Sequence, residues 1–174
     1  TVITPTPILR DDDIIRIYAG FRDTEGISRI GYIDVQGDNP SAVVKVSEKP
    51  VLDIGRSGMF DDNGIILGDL IAVDGVLRMY YVGFQKVQKA KFLAYSGLAI
   101  SKDGGESFDR VQETPVMDRV DNALYIRAIH TVLYEEGKYR IWYSVGNGWE
   151  IINGTEYPQY DIRYTESDDG IEFN

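Results

Sequence analysis

The sequence predicts an all-β protein of the β-propeller class, and two observations lead to that prediction. Apolar and polar residues alternate along short segments rich in Ile, Val, Tyr and Trp, and no window carries the 3.6-residue period of an amphipathic helix. A four-residue pattern with a central arginine also recurs around Arg16, Arg78 and Arg140, which lie 62 residues apart (78 − 16 and 140 − 78). A repeat near this length with about four strands per copy is typical of propeller blades.

Each blade is predicted to contain four strands in chain order. The inner strand falls at residues 7–10, 65–73 and 125–134, and the second strand carries the arginine pattern. The third strand carries a landmark that recurs at Gly31, Gly97 and Arg163 in steps of 66 residues (97 − 31 and 163 − 97). The outermost strand is predicted at residues 43–47 and 109–111, and the third blade's fourth strand would begin at 173–174. The blades then cover about residues 1–54, 55–118 and 119–174 of a single partial propeller domain.

Three blades, the last of them incomplete, are too few to close a ring, because propellers have about 4–8 blades. Uncovered apolar sheet faces are also unfavourable in water. We therefore expect either further chain or additional copies of this one to complete a propeller of the five-bladed type.

Composition excludes several classes of function. The formal charge of −10 argues against nonspecific binding to nucleic acid or to an anionic membrane, and no apolar run reaches the ~20 residues of a membrane helix. With no cysteine and only His130 among histidines, disulfides, thiolate metal sites and zinc sites with two histidines are excluded. The absence of cysteine favours a cytoplasmic location without assigning one.

The alternation of strand direction divides the loops between two faces of the propeller. The 1–2 and 3–4 turns lie on one face and are short; they include the acidic turn at residues 11–13. Residues 101–108 resemble the Asp-box of sialidases, and 167–173 are a shortened copy. We interpret both as hairpin turns in which an aspartate accepts backbone N–H bonds. The 2–3 loops and the blade-to-blade connections are longer and richer in functional groups, so we predict the site on their face, at the central axis.

Two pairs of residues on this richer face are candidates for chemistry. Asp61 and Asp62 precede the second inner strand, and adjacent carboxylates raise one pKa, as a general acid or base requires. The alternative is a solvated turn. Trp149 and Glu150 fall in the predicted loop 147–158, where an indole can stack on a sugar and a carboxyl can donate a proton. The alternative is a tryptophan that covers apolar surface at a sheet edge.

Other candidates are weaker by sequence alone. Arg127 and His130 lie on the third inner strand three residues apart, and only a bulge would bring both to the axis. A lone histidine is more often a core residue than a ligand. The lysines between residues 86 and 91 look like a solvated loop, with an anionic substrate as the other interpretation.

Residues 58–65, 74–84, 96–108 and 141–149 resemble the five-bladed β-propeller glycoside hydrolases of the invertase, levansucrase, arabinanase and mannoside-phosphorylase type. They are most similar to glycosidase-like propellers of polysaccharide gene clusters. The resemblance implies that Asp61 is the base or nucleophile, that Asp62 supports it, and that Glu150 is the general acid. It also implies that Arg22 and Asp23 grip sugar hydroxyls.

The resemblance further implies a role for His130 near an axial metal ion, as in arabinanase-like members. No cofactor is expected otherwise, and a divalent ion such as calcium at the axis is left open. The leading hypothesis is a glycosidase or glycoside phosphorylase that transfers a glycosyl group from a sugar or glycoconjugate to water or phosphate. The alternative is a non-catalytic carbohydrate-binding or scaffold propeller that uses aromatic residues such as Trp149 and Tyr157.

Overall fold

The computed structural model describes residues 1–10 and 13–173, so Asp11 and Asp12 of the predicted acidic turn, and Asn174, lie outside the described residues. The described part is built of β-strands. In chain order these are β1 (Val2–Leu9), β2 (Ile14–Arg22), β3 (Ser28–Gln36), β4 (Val43–Val46), β5 (Ile65–Val73), β6 (Val76–Gln85), β7 (Leu93–Ser101), β8 (Asp109–Arg110), β9 (Ile126–Glu135), β10 (Lys138–Ile152) and β11 (Thr155–Ser167).

The strands form blades, as the repeat predicts. Strands β1 to β4 make one four-stranded sheet in sequential order, and β5 to β8 repeat that order. Strands β9 to β11 supply three antiparallel strands of the third blade, which has no fourth strand among residues 1–10 and 13–173. A short parallel pairing of β7 with β9, at Ala94↔Ile126 and Tyr95↔Arg127, joins the second and third blades into one sheet.

Tight turns connect the first two strands of the later blades. Asp74 and Gly75 have φ of 50° and 77°, and Glu136 and Gly137 have φ of 55° and 78°. Two successive residues with positive φ match the right-handed twist of a hairpin, and glycine accepts this conformation without a steric cost. These turns directly follow the inner strands that the sequence predicts at residues 65–73 and 125–134.

The predicted loop at residues 147–158 is instead an ordered hairpin. Strands β10 and β11 continue their pairing out to Ile152 and Thr155, past a bulge between Gly146 and Gly148. Asn153 and Gly154, with φ of 50° and 78°, close the hairpin. The prediction of a loop was therefore wrong. An Asn-Gly pair between β-branched residues is a strong hairpin signal, but the polar composition of this segment is also typical of loops.

Aromatic side chains fill the space between neighbouring blades. Tyr18 packs edge-on against Tyr32 and Phe108 between the first and second blades, with ring centroids 5.9 and 5.7 Å apart. Tyr80 and Tyr139 belong to the corresponding cluster between the second and third blades. Such pairs contribute about 0.5–1.5 kcal/mol each beyond the area that they bury.

The arginine pattern of the second strand holds the 3–4 turn of the following blade. Tyr18 donates to the Gly105 carbonyl at 2.8 Å, and Tyr80 donates to the Gly170 carbonyl at 3.0 Å. Arg16 also reaches the Gly105 carbonyl, while Arg78 reaches the neighbouring carbonyl in the second turn. The repeat in the sequence is therefore a repeat of contacts between blades.

The first of these 3–4 turns is closed by Asp103. Its Oδ1 accepts the backbone N–H groups of Glu106 and Ser107 at 3.0 Å, and its Oδ2 accepts the Ser107 hydroxyl at 2.6 Å. Gly104 and Gly105 take φ of 71° and 89°. The carboxylate is used by the turn itself, which is the interpretation that the sequence favours for this segment.

In the third copy of the pattern the arginine and the aromatic residue are partly exposed to solvent, whereas Tyr139 and Ile141 are buried. Trp142 is 36% exposed, and Tyr160, Ile162 and Tyr164 on β11 are 47–58% exposed. Arg140 forms ion pairs with Glu135 and Glu136 rather than with a turn carbonyl. We call Trp142, Tyr160, Ile162 and Tyr164 the outer face of the third blade.

Candidate functional site

A cavity of about 340 Å³ opens among the connections that the sequence predicts to carry the site. Its walls come from the β2–β3 turn, the segment that enters β5, and the β6–β7 connection. The residues that define it chemically are Arg22, Ser28, Asn63, Phe84, Lys86, Lys91 and Phe92. Small-molecule sites are usually clefts of this kind, with apolar walls and a few converging polar groups.

A larger cavity of about 600 Å³ beside β4 offers fewer unpaired functional groups to a ligand. Glu106, which lines it, accepts hydrogen bonds from Tyr32 at 2.7 Å and from Lys45 at 2.9 Å, and it pairs with Arg16. Glu106, Tyr32 and Lys45 of its lining are therefore already used by one another. We take the cavity near Phe92 as the candidate site.

One wall of the candidate site is aromatic. Phe92 packs edge-on against Phe84 at 5.4 Å and against Trp149 at 4.9 Å, and Tyr125 contacts Trp149 at 6.1 Å. Trp149 is half-buried, and its buried Nε1–H has no hydrogen-bond partner within the described chain. Trp149 thus covers the apolar surface of Phe92 and Tyr125, and it supports the cavity wall from behind without lining the cavity itself.

Polar groups fix the opposite side of the cavity. Asn63 accepts the Lys86 N–H on its side-chain oxygen at 2.8 Å and donates its backbone N–H to the Phe84 carbonyl at 3.0 Å. Ser28 is 3% exposed, and its hydroxyl has no partner among the residues that the structure describes. The Asn63 side chain is therefore used to hold the loop, whereas the Ser28 hydroxyl retains its hydrogen-bonding capacity.

Asp61 lies inside the protein behind this loop. Its side chain is fully buried, and its Oδ2 accepts two hydrogen bonds from Arg110, at 2.8 Å from Nε and 2.7 Å from Nη2. A Cβ at Gly83 would overlap the Cβ of Asp61, so this position requires glycine. Burial and then the charge of Asp61 raise the pKa of Tyr81.

Asp62 shapes the turn before β5. Its Oδ2 accepts the Gly58 N–H at 2.8 Å, and its Oδ1 is buried without a partner in the described chain. Asp61 likewise has one buried oxygen, Oδ1, that makes no hydrogen bond there. The two adjacent carboxylates therefore each use one oxygen for structure and leave one unsatisfied.

The structure separates Trp149 from Glu150. Adjacent residues of a strand point to opposite faces, and the register pairs Trp149 with Pro158 and Glu150 with Tyr157. Trp149 faces the aromatic wall, whereas Glu150 is exposed and accepts a hydrogen bond from Gln159 at 3.3 Å. Glu150 and the exposed Tyr157 therefore share the side of the hairpin away from the Trp149 ring.

Arg22 and Asp23 also have different surroundings. Arg22 is exposed and lines the cavity. Asp23 closes its own turn by accepting the N–H groups of Glu25 and Ile27 at 3.0 and 2.9 Å, and it pairs with Arg29 at 2.8 Å. These bonds, with that from Ile27 the strongest, lower the pKa of Asp23. Only the arginine of this pair presents a free charge to the cavity.

The bulge on the third inner strand is present, at His130. The register passes from Trp142↔Thr131 to Tyr143↔Ile129, so His130 is the extra residue. Its Nε2 nevertheless contacts Ser144 Oγ, while the guanidinium of Arg127 lies 5.5 Å from the centre of the Tyr143 ring. Because Tyr143 and Ser144 are neighbours on β10, the two side chains remain on opposite faces of the sheet.

Arg127 and His130 both already have partners, Arg127 in the connection from the second blade and His130 on β10 of the third. Arg127 donates to the Asp118 carbonyl at 2.7 Å. Partial burial lowers the pKa of His130, which favours the neutral imidazole. Within residues 1–10 and 13–173, no group of three or more His, Asp or Glu side chains is positioned to hold a metal ion, and no helix is long and apolar enough to cross a membrane.

Arg110, Ser28 and Phe92 were not among the residues predicted from the sequence. Arg110 is 49 residues from the aspartate that it pairs with, and no local pattern signals a contact at that separation. Phe92 follows the lysine-rich segment and looks like the start of an ordinary buried strand. A buried serine at the end of a turn leaves no signal in a single sequence.

The fold of this chain is that of β-propellers that several glycoside hydrolases share. Over 99% of its length it superposes on sucrose-6-phosphate hydrolase from Lactobacillus gasseri with a TM-score of 0.68 and 14% identity, covering 33% of that protein. It superposes on BT0996, in a complex with RGII, with a TM-score of 0.72 and 17% identity, covering 99% of this chain and 55% of that one. For Zg3597, a family 117 glycoside hydrolase from Zobellia galactanivorans, the TM-score is 0.63 at 20% identity, with 100% and 45% covered.

Sequence comparison leads to proteins without an assigned activity. The chain is 30% identical over 167 residues to the uncharacterized proteins MT1551 and Rv1502 of two strains of Mycobacterium tuberculosis. The match covers 96% of this chain and 55% of each relative, so the chain spans about half the length of the curated relatives that it matches. No family model matches the sequence.

Proposed function

We propose that this chain contributes the carbohydrate-binding surface of a glycoside hydrolase-like propeller, with the cavity beside Phe92 as the site for a sugar or glycoconjugate. The aromatic lining of Phe84 and Phe92, with Trp149 packed edge-on against Phe92, is the observation that supports this most directly. Aromatic faces combined with a few converging polar groups suit a ligand that has both apolar C–H surfaces and hydroxyls. The glycoside hydrolases among the structural neighbours share the fold that carries this surface.

Binding can be tested by fluorescence, because the chain has only two tryptophans. The Trp142→Phe variant leaves Trp149 as the single indole, beside the cavity. We expect sugars that bind to shift its emission in a saturable way, and Phe92→Ala to abolish the shift by removing the neighbouring wall. Tyr160→Ala, on the outer face of the third blade, is the matched control and should leave the titration unchanged. A ligand that binds equally well to Phe92→Ala would contradict the assignment of the cavity.

The second candidate function is acid-assisted glycosyl transfer to water or phosphate. The unsatisfied carboxylate oxygens of Asp61 and Asp62 favour it, since buried oxygens without partners are expensive unless they are used. In this candidate Asp61 is the base or nucleophile and Glu150 the acid, as the resemblance implies. Asp61 is fully buried and does not line the cavity, so the candidate requires a change of conformation that exposes it. A carboxyl separation of about 5–5.5 Å would correspond to retention and about 6.5–9.5 Å to inversion.

Turnover measurements separate the two candidates. An enzyme should release product from an oligosaccharide panel, with or without phosphate, and lose that activity in Asp61→Asn and in Glu150→Gln. Because Asp61 is buried, the Asp61→Asn variant should also lose stability, and a melting curve must therefore accompany each assay. Glu150→Gln, at an exposed position, should melt like the parent chain. Saturable binding without turnover would support the carbohydrate-binding function and count against glycosyl transfer.

Completion of the ring remains a prediction. The outer face of the third blade exposes four large side chains, and a second copy or further chain would cover them. Light scattering tests the first alternative, because a monomer at all concentrations would exclude ring closure by copies of this chain.

A further inference from the structure

Three basic side chains surround the candidate cavity without a carboxylate partner. Arg22, Lys86 and Lys91 all line it and are exposed, and none forms an ion pair within the described part of the chain. Its lining also contains no Asp or Glu. This is a local concentration of positive charge on a chain whose formal charge is −10.

The acidic residues nearest in sequence do not cancel this charge. Asp23, next to Arg22, is held by its own turn and by Arg29. Lys91 donates to the backbone carbonyl of Glu156 at 2.9 Å, a contact that positions the ammonium and leaves its two other N–H donors free. The loop position next to Lys86 is occupied by the neutral amide of Asn63.

Ser28 provides an independent sign of a missing partner. This residue of the lining is 3% exposed, and its hydroxyl lies beside Gly20 without a hydrogen-bond partner in the described chain. Buried polar groups normally find a partner, and each exception calls for an explanation such as a ligand. The three cations of the lining suit an oxyanion, which accepts charge-assisted hydrogen bonds from each of them.

We propose that the cavity binds a sugar derivative that carries one negatively charged oxyanion group, a phosphate or a carboxylate. Arg22, Lys86 and Lys91 would bind the anion, and the sugar ring would lie against Phe84 and Phe92. This inference rests on the proposed carbohydrate-binding function and narrows its substrate class. Charge-assisted hydrogen bonds are about twice as strong as neutral ones, so the anion supplies much of the affinity and of the discrimination.

The test compares matched ligands on the intact chain by calorimetry. Glucose, glucose 6-phosphate and glucuronate share one ring and differ in charge, and inorganic phosphate presents the anion alone. We expect both anionic sugars to bind roughly ten-fold or more tightly than glucose, the factor that one or two hydrogen bonds to a charged group supply. The tighter of the two anionic sugars identifies the group. Added salt should weaken both, because exposed cations are screened.

Variants assign the affinity to these side chains. Lys86→Gln and Lys91→Gln should each lower the affinity for the anionic sugars roughly ten-fold while leaving glucose unchanged. Lys102→Gln, an exposed lysine in the 3–4 turn of the second blade, is the control and should have no effect. Melting temperatures show that each variant is folded.

The outcomes separate this inference from the function on which it rests. Equal affinity for charged and neutral sugars, with loss in Phe92→Ala, overturns the anion and retains the carbohydrate site. Phosphate binding that depends on Lys86, with no binding of any sugar, retains the anion and overturns the carbohydrate function. No binding of any of the four ligands overturns both.

Discussion

Arg110 reaches from β8 to Asp61 and donates two hydrogen bonds to a single carboxylate oxygen, in a place where the aspartate has no contact with solvent. Arg110 also donates to the Asp53 carbonyl, so it ties the outer strand of the second blade to the connection that enters it. The pair therefore joins segments that are distant in the sequence and that no local sequence pattern brings together.

Removal of Arg110 should be costly. Arg110→Met leaves a buried carboxylate without a counter-charge, which typically destabilises a protein by about 3–5 kcal/mol. We expect this loss in the free energy of unfolding measured by urea denaturation. The control is Arg56→Met, which breaks the exposed pair of Arg56 with Glu113 and should leave the free energy of unfolding almost unchanged. Similar losses of unfolding free energy in the two variants would show that the buried Asp61–Arg110 pair is no more important for stability than an exposed pair.

The two tyrosines of the arginine pattern, Tyr18 and Tyr80, should differ in how much their hydroxyls contribute to the free energy of unfolding. Tyr80→Phe removes a hydrogen bond to the Gly170 carbonyl and should cost about 1–3 kcal/mol, since that buried carbonyl loses its tyrosine donor. Tyr18→Phe should cost less, about 0.5–1.5 kcal/mol, because Arg16 still donates to the Gly105 carbonyl. Thermal unfolding measures both, with Tyr160→Phe at an exposed position as the control. A larger loss for Tyr18→Phe would refute the shared-donor explanation.

Asp103 should make stability depend on pH. Hydrogen bonds from Ser107, first from its hydroxyl and then from its backbone N–H, lower the pKa of Asp103 from the ordinary 3.8 to about 2. A carboxyl whose pKa is lower in the folded state stabilises the fold fully above its unfolded pKa, and loses that contribution as the pH falls from about 4 towards about 2.

Comparison with Asp103→Asn isolates this contribution. The parent chain should exceed the variant in urea midpoint near neutral pH, and the difference should shrink between about pH 4 and about pH 2. Asp168→Asn, which removes an exposed carboxylate that pairs with Lys138, is the matched control. A difference that stays constant over the whole pH range would rule out the proposed role of the Asp103 charge.

The outer face of the third blade should drive association. Ile162 is 58% exposed beside Tyr164 and Trp142, and burial of such a side chain contributes about 1.5–3 kcal/mol. If copies of this chain cover the face, light scattering should report a concentration-dependent mass that Ile162→Lys lowers to that of the monomer. Ile151→Lys, near the tip of the hairpin, is the control. An unchanged mass in Ile162→Lys would place any association elsewhere.

Much of the blade architecture could be predicted because its causes are local. The alternation around Ile15 and Ile141, and the spacing of Arg16, Arg78 and Arg140, reflect contacts that each blade repeats. The turns at Asp74 and Gly75 follow from two positive φ angles that few residue types accept. The hairpin at Asn153 carried an equally local signal, but its polar flanks are as common in loops as in exposed strands.

The candidate site was less predictable because its members come from distant segments. Asp61 was chosen for the residue types around it, whereas its burial depends on Arg110, far along the chain, and on the missing side chains of Gly55 and Gly83. Trp149 and Glu150 seemed a pair because they are adjacent, but as neighbours in a strand they point to opposite faces.

The sequence by itself determined the class of fold, the strand order and the face that carries the longer connections, because periodicity and turn chemistry act over a few residues. Only the tertiary structure decided which side chains share a cavity. It buried Asp61 against Arg110, turned Glu150 away from Trp149, and gathered Arg22, Lys86 and Lys91 around one opening. The physical reason is that burial, pairing and access to a ligand depend on contacts between blades, and such contacts leave no periodic trace in a single chain.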